Sequence, residues 1–218
     1  INVGTILSDE ELIQGSEEWF AVRMGKITAS KLSDLMKKTK YGESTYKTRL
    51  RMELAIERIT GKSTNTFMNQ AMHDGVEREP DARTLFEAMT GKEVALCGSF
   101  DHPEIVNTSA SPDGLLRGEN ATLELKCPTH VTHCRNLLSD TMDARYQYQV
   151  QWQMACTESD YAYFASYHPD FPPELRLKWV KVLRDNIMIL DIEDAVRQFD
   201  IEVEDLIIKL KKGANKNG

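Results

Sequence analysis

The stretch that most constrains this chain is Ser111-Pro112-Asp113-Gly114, followed a few residues on by Leu123-Glu124-Leu125-Lys126. Pro-Asp-Gly is turn chemistry, because proline presets φ and glycine takes backbone angles that a Cβ forbids. Leu123 and Leu125 alternate with Thr122, Glu124 and Lys126, which reads as a strand. Period two then puts Glu124 and Lys126 on one face and the leucines on the other. Val106 to Ala110 reads as a short preceding strand, and if the two strands pair, Asp113 at the turn lies near the Glu124 and Lys126 face. Two carboxylates and one ammonium suit a magnesium-dependent phosphodiester hydrolase, since hard cations take oxygen ligands and keep several waters. A lysine there orients the attacking water or balances charge on the transition state. The other reading is a solvated sheet face with a cross-strand salt bridge, and Glu-x-Lys alone does not separate the two.

The chain has 218 residues, 41% apolar and 28% charged, which describes an ordinary globular domain with enough length for a sizeable core. No apolar run approaches the roughly 18 residues of a membrane span, and no signal peptide opens the sequence. A cytoplasmic protein with no membrane partner is therefore expected. The net charge of −7 argues at first against a nucleic-acid partner, but the charges are unevenly spread. From Arg23 to Arg51 nine Lys or Arg stand against Asp34 and Glu43; from Asp185 to Asp205 eight acids stand against Arg197. A local basic patch on an acidic protein binds phosphates while its far side repels them; two solvated helix faces would give the same counts. The cysteines, at 97, 127, 134 and 156, show no secreted-scaffold spacing. Cys127, His130, His133 and Cys134 invite a zinc reading, but the Cys-x-x-Cys half of a structural site is missing, so coincidence is the reading adopted.

Taken in order, Ser16 reads as an N-cap with Glu17 and Glu18 in the first turn. Trp19, Phe20 and Val22 form an apolar face edged by Arg23, and Gly25 ends the helix. Thr28-Ala29-Ser30 is expected to open another helix with Leu32, Leu35 and Met36 inward. Two hydroxyls at a helix start beside an arginine make a phosphate site, or Thr28 merely caps. After a polar connection from Tyr41 to Ser44, Met52, Ala55, Ile56 and Ile59 recur at helical spacing up to Gly61; a polar loop, Lys62 to Asn65, follows. Ala82, Leu85, Phe86 and Met89 mark a helix ending at Gly91, and the stripe continued back one turn lands on Glu79. A core-facing carboxylate is costly unless paired or metal-bound. Pro80 complicates this, because proline is tolerated only in the first turn of an unkinked helix, so Glu79 reads equally well as an N-cap.

Tyr146, Val150 and Met154 line up on a helix that also carries Gln147, Gln149, Gln151 and Gln153. Amides on a mostly buried face suit base edges or phosphate oxygens, or a hydrogen bond at the core's edge. Tyr161 to Tyr167 and Leu175 to Leu183 read as strands. From Asp185 a long helix carries Ile192, Ala195, Val196, Phe199, Val203, Leu206, Ile207 and Leu210 inward. The result is α/β: a mixed central sheet of about four or five strands flanked by helices. A single domain over 1–218 is expected, its catalytic core at about 14–185 and its C-terminal helix at about 186–211.

Four separated pieces coincide: Gly75-x-x-x-Glu79, Ser111-Pro112-Asp113-Gly114, Glu124-Leu125-Lys126 and Gln149. That set resembles the PD-(D/E)xK nuclease superfamily, with its restriction-endonuclease-like core. More narrowly, the chain is similar to the lambda-type phage exonucleases, or YqaJ-like viral recombinases. The similarity runs through Gln14-Gly15-Ser16-x-Glu18-Trp19, Arg23-x-Gly25-x-Ile27-Thr28-Ala29-Ser30, Asp81-Ala82-Arg83-Thr84-Leu85-Phe86-Glu87, Leu123 to Pro128 and Gln149-Val150-Gln151. The resemblance implies that Asp113, Glu124, the Leu125 carbonyl and Glu79 hold two Mg2+ ions, with Mn2+ able to substitute. It implies that Lys126 positions the nucleophilic water, and that Arg23, Thr28, Ser30 and Ser111 bind a terminal 5′-phosphate with Gln149 nearby. It further implies a phage- or prophage-encoded enzyme in a bacterial host. Such an enzyme degrades one strand of linear duplex DNA from the 5′ end, forms a ring-shaped homotrimer and works with a single-strand annealing protein. Iron–sulfur relatives of this core need cysteines near the C-terminus, and none follows Cys156. A catalytically weak DNA-end-binding protein is the alternative from another class, disfavoured by the intact Asp113, Glu124 and Lys126.

Overall fold

The computed structural model describes residues 16–37, 40, 42–64 and 70–214; Gln14, Gly15, Lys38, Tyr41 and Asn65, which enter the sequence reading, lie outside them. The chain runs α1 (Glu17–Arg23), β1 (Ile27–Thr28), a 3-10 turn (Ala29–Lys31), α2 (Leu32–Leu35), α3 (Thr45–Thr60) and α4 (Gln70–Thr90). Short strands follow: β2 (Val94–Ala95), β3 (Phe100–Asp101), β4 (Thr108–Ala110), β5 (Gly114–Leu116) and β6 (Ala121–Lys126). Then come α5 (His130–Leu137), α6 (Gln147–Thr157), β7 (Tyr161–Tyr167), β8 (Leu177–Leu183) and α7 (Asn186–Ala214). None of the described helices is long and apolar enough to cross a membrane.

The main sheet has the order β2-β5-β6-β7-β8, and only β6 and β7 are parallel within it. A parallel pair needs a long crossover, which α5 and α6 supply. Alternation then divides the sheet's residues between two faces. Leu123 and Leu125 pack with Ala82 and Phe86 of α4, while Ala162 and Phe164 pack with Val150 and Met154 of α6. On its other side α6 gives Trp152, Ala155 and Cys156 to a cluster formed with α2, α3 and α7. Every residue from Val150 to Cys156 is buried. The sheet and helices match the expected α/β class.

Several local expectations change. The strand before the Pro-Asp-Gly turn does not pair with β6: β4 belongs to a second sheet, β1-β4-β3, and β5 is the neighbour of β6. Asp113 therefore lies where the chain passes from one sheet to the other. Thr28-Ala29-Ser30 does not open a full helix; Thr28 ends β1, and only a 3-10 turn and the four-residue α2 follow. Glu79 is not an N-cap, because α4 runs on through Pro80. In α3 the buried residues are Leu50, Leu54 and Ala55, which face α7, while Met52, Ile56 and Ile59 are exposed. Met89 and Leu210, read as inward, are exposed as well. Ser16 does cap α1, its hydroxyl accepting from Trp19 N at 3.1 Å, but the C-cap is Met24 rather than Gly25.

Gly114 is required by a close approach. A Cβ built there would lie 2.3 Å from Val94 Cγ1 and 3.2 Å from the Ala95 carbonyl of the neighbouring strand β2. Valine is stiff at χ1 and yields poorly. Gly114→Ala is expected to lower unfolding free energy by about 1–3 kcal/mol through overpacking. Adding Val94→Ala should return most of that loss in urea titrations; additive losses would show that the contact is not the cause.

Candidate active site

β6 delivers Glu124 and Lys126 to the face covered by α6, as period two requires. Glu124 is 1% exposed, so its charge must be met from within the protein. Lys126 Nζ and Gln149 Nε2 both donate to Glu124 Oε1, and Gln153 Nε2 donates to Glu124 Oε2. Lys126 also lies over the Tyr146 ring, 5.2 Å from its centroid. Gln149, expected beside a phosphate, is instead bonded to the carboxylate in this structure. Gln153 was not among the expected site residues, although its place one turn beyond Gln149 on the glutamine-rich helix was a visible signal.

Asp113 is fixed to the adjoining end of the strand. Its N–H donates to the Leu123 carbonyl at 3.0 Å, and its Oδ2 accepts from Leu125 N at 2.6 Å. Removal from water, then repulsion by Glu124 and Glu79, pushes the Asp113 carboxyl well above the usual range. Glu79 reaches the same group from α4, where burial and then Glu124 raise it to about 7, while Lys126 and Arg83 oppose the rise. Burial favours a neutral amine at Lys126, yet Glu124 and Asp113 overrule it and hold the ammonium. Arg83, one turn after Glu79, has its Nε buried with no hydrogen-bond partner among the described residues.

Arg23 joins these groups from α1. Its Nη1 donates to Ser111 Oγ at 2.7 Å, and its guanidinium stacks 4.1 Å from the Trp19 ring centroid. Burial lowers it to about 10, with Glu124 and Asp113 pulling upward, so it stays cationic. Thr28 has no capping bond; its hydroxyl lies 3.3 Å from that of Ser30, and its backbone is in register with Ser109, two residues before Ser111. The structure thus brings together Glu79, Asp113, Glu124 and Lys126, with Arg23 and Ser111 adjoining. Thr28 and Ser30 sit on the neighbouring small sheet and its turn. Three carboxylates, one ammonium and one guanidinium can hold divalent cations and a phosphodiester side by side.

The basic stretch is less free than its composition suggests. Lys47 and Arg51 pair with Glu202 of α7 at 3.2 and 3.4 Å, and Arg58 pairs with Asp200 and Glu204 at 2.6 and 2.7 Å. Asp200, Glu202 and Glu204 of α7 thus face the basic helix α3 rather than pointing away from it.

The model of the YqaJ-like viral recombinase domain matches residues 18–160. An alkaline exonuclease, LHK-Exo from Laribacter hongkongensis, superposes with a TM-score of 0.86 at 36% identity, covering 93% of this chain and 100% of that one. Its complex with dAMP gives a TM-score of 0.87 at 37% identity, with the same coverage. A phage-related exonuclease from Haemophilus somnus 129PT shares the fold, with a TM-score of 0.69 at 16% identity over 85% of this chain and 96% of that one. No curated protein sequence matches this chain significantly.

The crowding of carboxylates has a measurable sign. Glu79 ionises near 4.5 when exposed and at about 7 in the fold, so the folded state holds the extra proton between those values. Its contribution to stability is therefore lost as pH rises through that window. In EDTA, Glu79→Gln should make the fall in stability from pH 5 to pH 8 shallower than in the wild type. Asp113, raised likewise, keeps part of the slope. His102, His133 and His168, all lowered, act in the opposite sense equally in both proteins. Parallel urea-midpoint curves for the two proteins would contradict this coupling.

Proposed function

Since the chain belongs to the YqaJ-like viral recombinase domain family, we propose that it is a magnesium-dependent exonuclease, one nuclease domain throughout. It degrades one strand of linear duplex DNA from a 5′-phosphorylated end and leaves 3′ tails for strand annealing. The observation that carries this reading is the convergence of Glu79, Asp113 and Glu124 on Lys126, with the Glu79 and Asp113 carboxyls raised first by burial and then by the charge of Glu124. Carboxylates that repel in this way gain most from a divalent cation, and an oxygen-rich donor set suits magnesium.

Asp113, Glu124, Glu79 and the Leu125 carbonyl would hold two ions, whose chemistry is to neutralise charge on the attacking and leaving oxygens. Lys126 donates to the nucleophilic water and keeps it oriented at the scissile phosphorus. Gln153 holds Glu124 in place from beneath, while Gln149 is free to exchange its carboxylate bond for a phosphate oxygen. Arg23 and Ser111, already bonded to each other, receive the terminal 5′-phosphate with the hydroxyls of Thr28 and Ser30; a guanidinium fork favours a dianion over a hydroxyl. The protein works as a ring-shaped homotrimer around the duplex, beside a single-strand annealing protein.

Asp113→Ala and Lys126→Ala should each slow Mg2+-dependent digestion of linear duplex by on the order of 10²-fold or more, with end binding largely kept. A near-wild-type rate in Asp113→Ala would overturn the site. Arg23→Ala should cut the preference for 5′-phosphate over 5′-hydroxyl ends by roughly 10- to 100-fold, the range of a charge-assisted hydrogen bond. Equal wild-type rates on the two ends would remove the phosphate pocket. Sedimentation at assay concentration should give three chains per particle, and a processive monomer would contradict the ring.

A further inference from the structure

The imidazoles and thiols between Cys127 and Cys134 do not form one group. His133 is used up structurally: its Nε2 donates to the Leu175 carbonyl at 2.8 Å, so its Nδ1 accepts from Ser166 Oγ, also at 2.8 Å. Burial, then the charges of Glu79 and Asp113, push the Cys127 thiol up to about 12, and Cys134 is exposed. His130, at the start of α5, turns instead toward the residues that follow β7. Its Nε2 lies 2.8 Å from Asp170 Oδ2, and its ring centroid lies 4.0 Å from that of His168. One ligand atom from each of His130, His168 and Asp170 lies within 4.8 Å of the other two.

The geometry points to a transition-metal site made by His130, His168 and Asp170, which takes Zn2+ or a similar borderline cation such as Co2+. It uses no residue of the proposed nuclease centre and does not rest on that reading. Tetrahedral zinc with bonds of about 2.0–2.1 Å sets its ligand atoms about 3.3 Å apart. The distances here bracket that value: 2.8 Å from His130 Nε2 to Asp170 Oδ2, and 4.0 Å from His168 Nδ1 to the same oxygen.

The three residues divide the work. His168 is 1% exposed, and its Nδ1 lone pair accepts the Asp170 N–H over a long 3.3 Å, a bond that an ion at Nδ1 would replace. The side chains of His130 and Asp170 are 65% and 61% exposed, so both can close on an ion while water fills the fourth position. The Phe171 ring walls the site, with centroids 5.5 Å from His168 and 6.2 Å from His130. With two nitrogens and one carboxylate as donors, zinc, cobalt or nickel is favoured over magnesium. Closure replaces the His130–Asp170 hydrogen bond with bonds to the ion and ties the start of α5 to the β7–β8 connection.

The test is equilibrium dialysis of full-length, EDTA-stripped protein in millimolar Mg2+, which occupies oxygen-rich sites, against micromolar Zn2+ and separately Co2+. One equivalent per chain is expected, with visible Co2+ d–d bands and a melting temperature several degrees higher once Zn2+ exceeds its Kd by about 100-fold. His130→Ala and Asp170→Ala, both at exposed positions, should lose the equivalent, the bands and the thermal shift. Cys134→Ala and the double variant Asp113→Ala/Glu124→Ala should keep all three. Absence of an equivalent in the wild type would overturn the site, as would its retention in both His130→Ala and Asp170→Ala or its loss in the Asp113/Glu124 double variant.

Discussion

Glu124 is almost wholly removed from water, and the arrangement around it follows from that one burial. An uncompensated carboxylate there would cost several kcal/mol, so each of its oxygens needs donors. Lys126 comes from the same strand, two residues on. The other donors, Gln149 and Gln153, come from α6, and they can reach only because α6 lies directly against that face of the sheet. From Val150 to Cys156 a helix so placed, with the cluster of α2, α3 and α7 on its far side, has no solvent face. Although Trp152 Nε1 and Gln153 Oε1 lack a partner among the described residues, the amide groups of Gln149 and Gln153 donate inside the protein. Gln151 does so too: its Nε2 donates to the Leu183 carbonyl and its Oε1 accepts from Asp185 N, joining α6 to the end of β8 and the start of α7.

Much of this was legible in the sequence where one periodicity prevailed. The Leu123–Lys126 alternation placed Glu124 and Lys126 on one face, and the aromatic run of β7 and the alternation of β8 marked true strands. The readings failed where a local signal had two physical outcomes. Val106 to Ala110 reads as extended, but extension does not say which strand it will meet. Thr28 looks like a cap because hydroxyls favour helix starts, yet it ends a strand paired to Ser109. Pro80 suggests a helix start, whereas α4 passes through it and carries Glu79 in its interior. In α3 the apolar residues spread over more than one face, and only the position of α7 decides that Leu50 and Leu54 go inward while Ile56 does not. Partner choice across the fold is tertiary information, and a single chain's pattern underdetermines it.

The same holds for charge. Counted along the chain, the basic stretch and the acidic helix look like opposite poles. In space α3 and α7 are neighbours, and Lys47, Arg51 and Arg58 meet Asp200, Glu202 and Glu204 across their contact. Among the described residues of the basic stretch, Arg23 is directed at Glu124 and Asp113, held by Ser111 and Trp19.

The parallel pairing of β6 with β7 has a consequence for when the site can exist. Asp113 and Glu124 are close in sequence, but Glu79 precedes them by a helix and Gln149 and Gln153 follow by another. The crossover that carries those glutamines is fixed only when β7 docks beside β6. Contacts of such long sequence separation require loops to close before any stabilisation is returned, and they form late in folding. A chain still emerging from the ribosome would hold Glu124 without its amide donors until residue 167 had been made and folded. The carboxylate group is therefore assembled as a product of completed folding rather than carried along by any one segment.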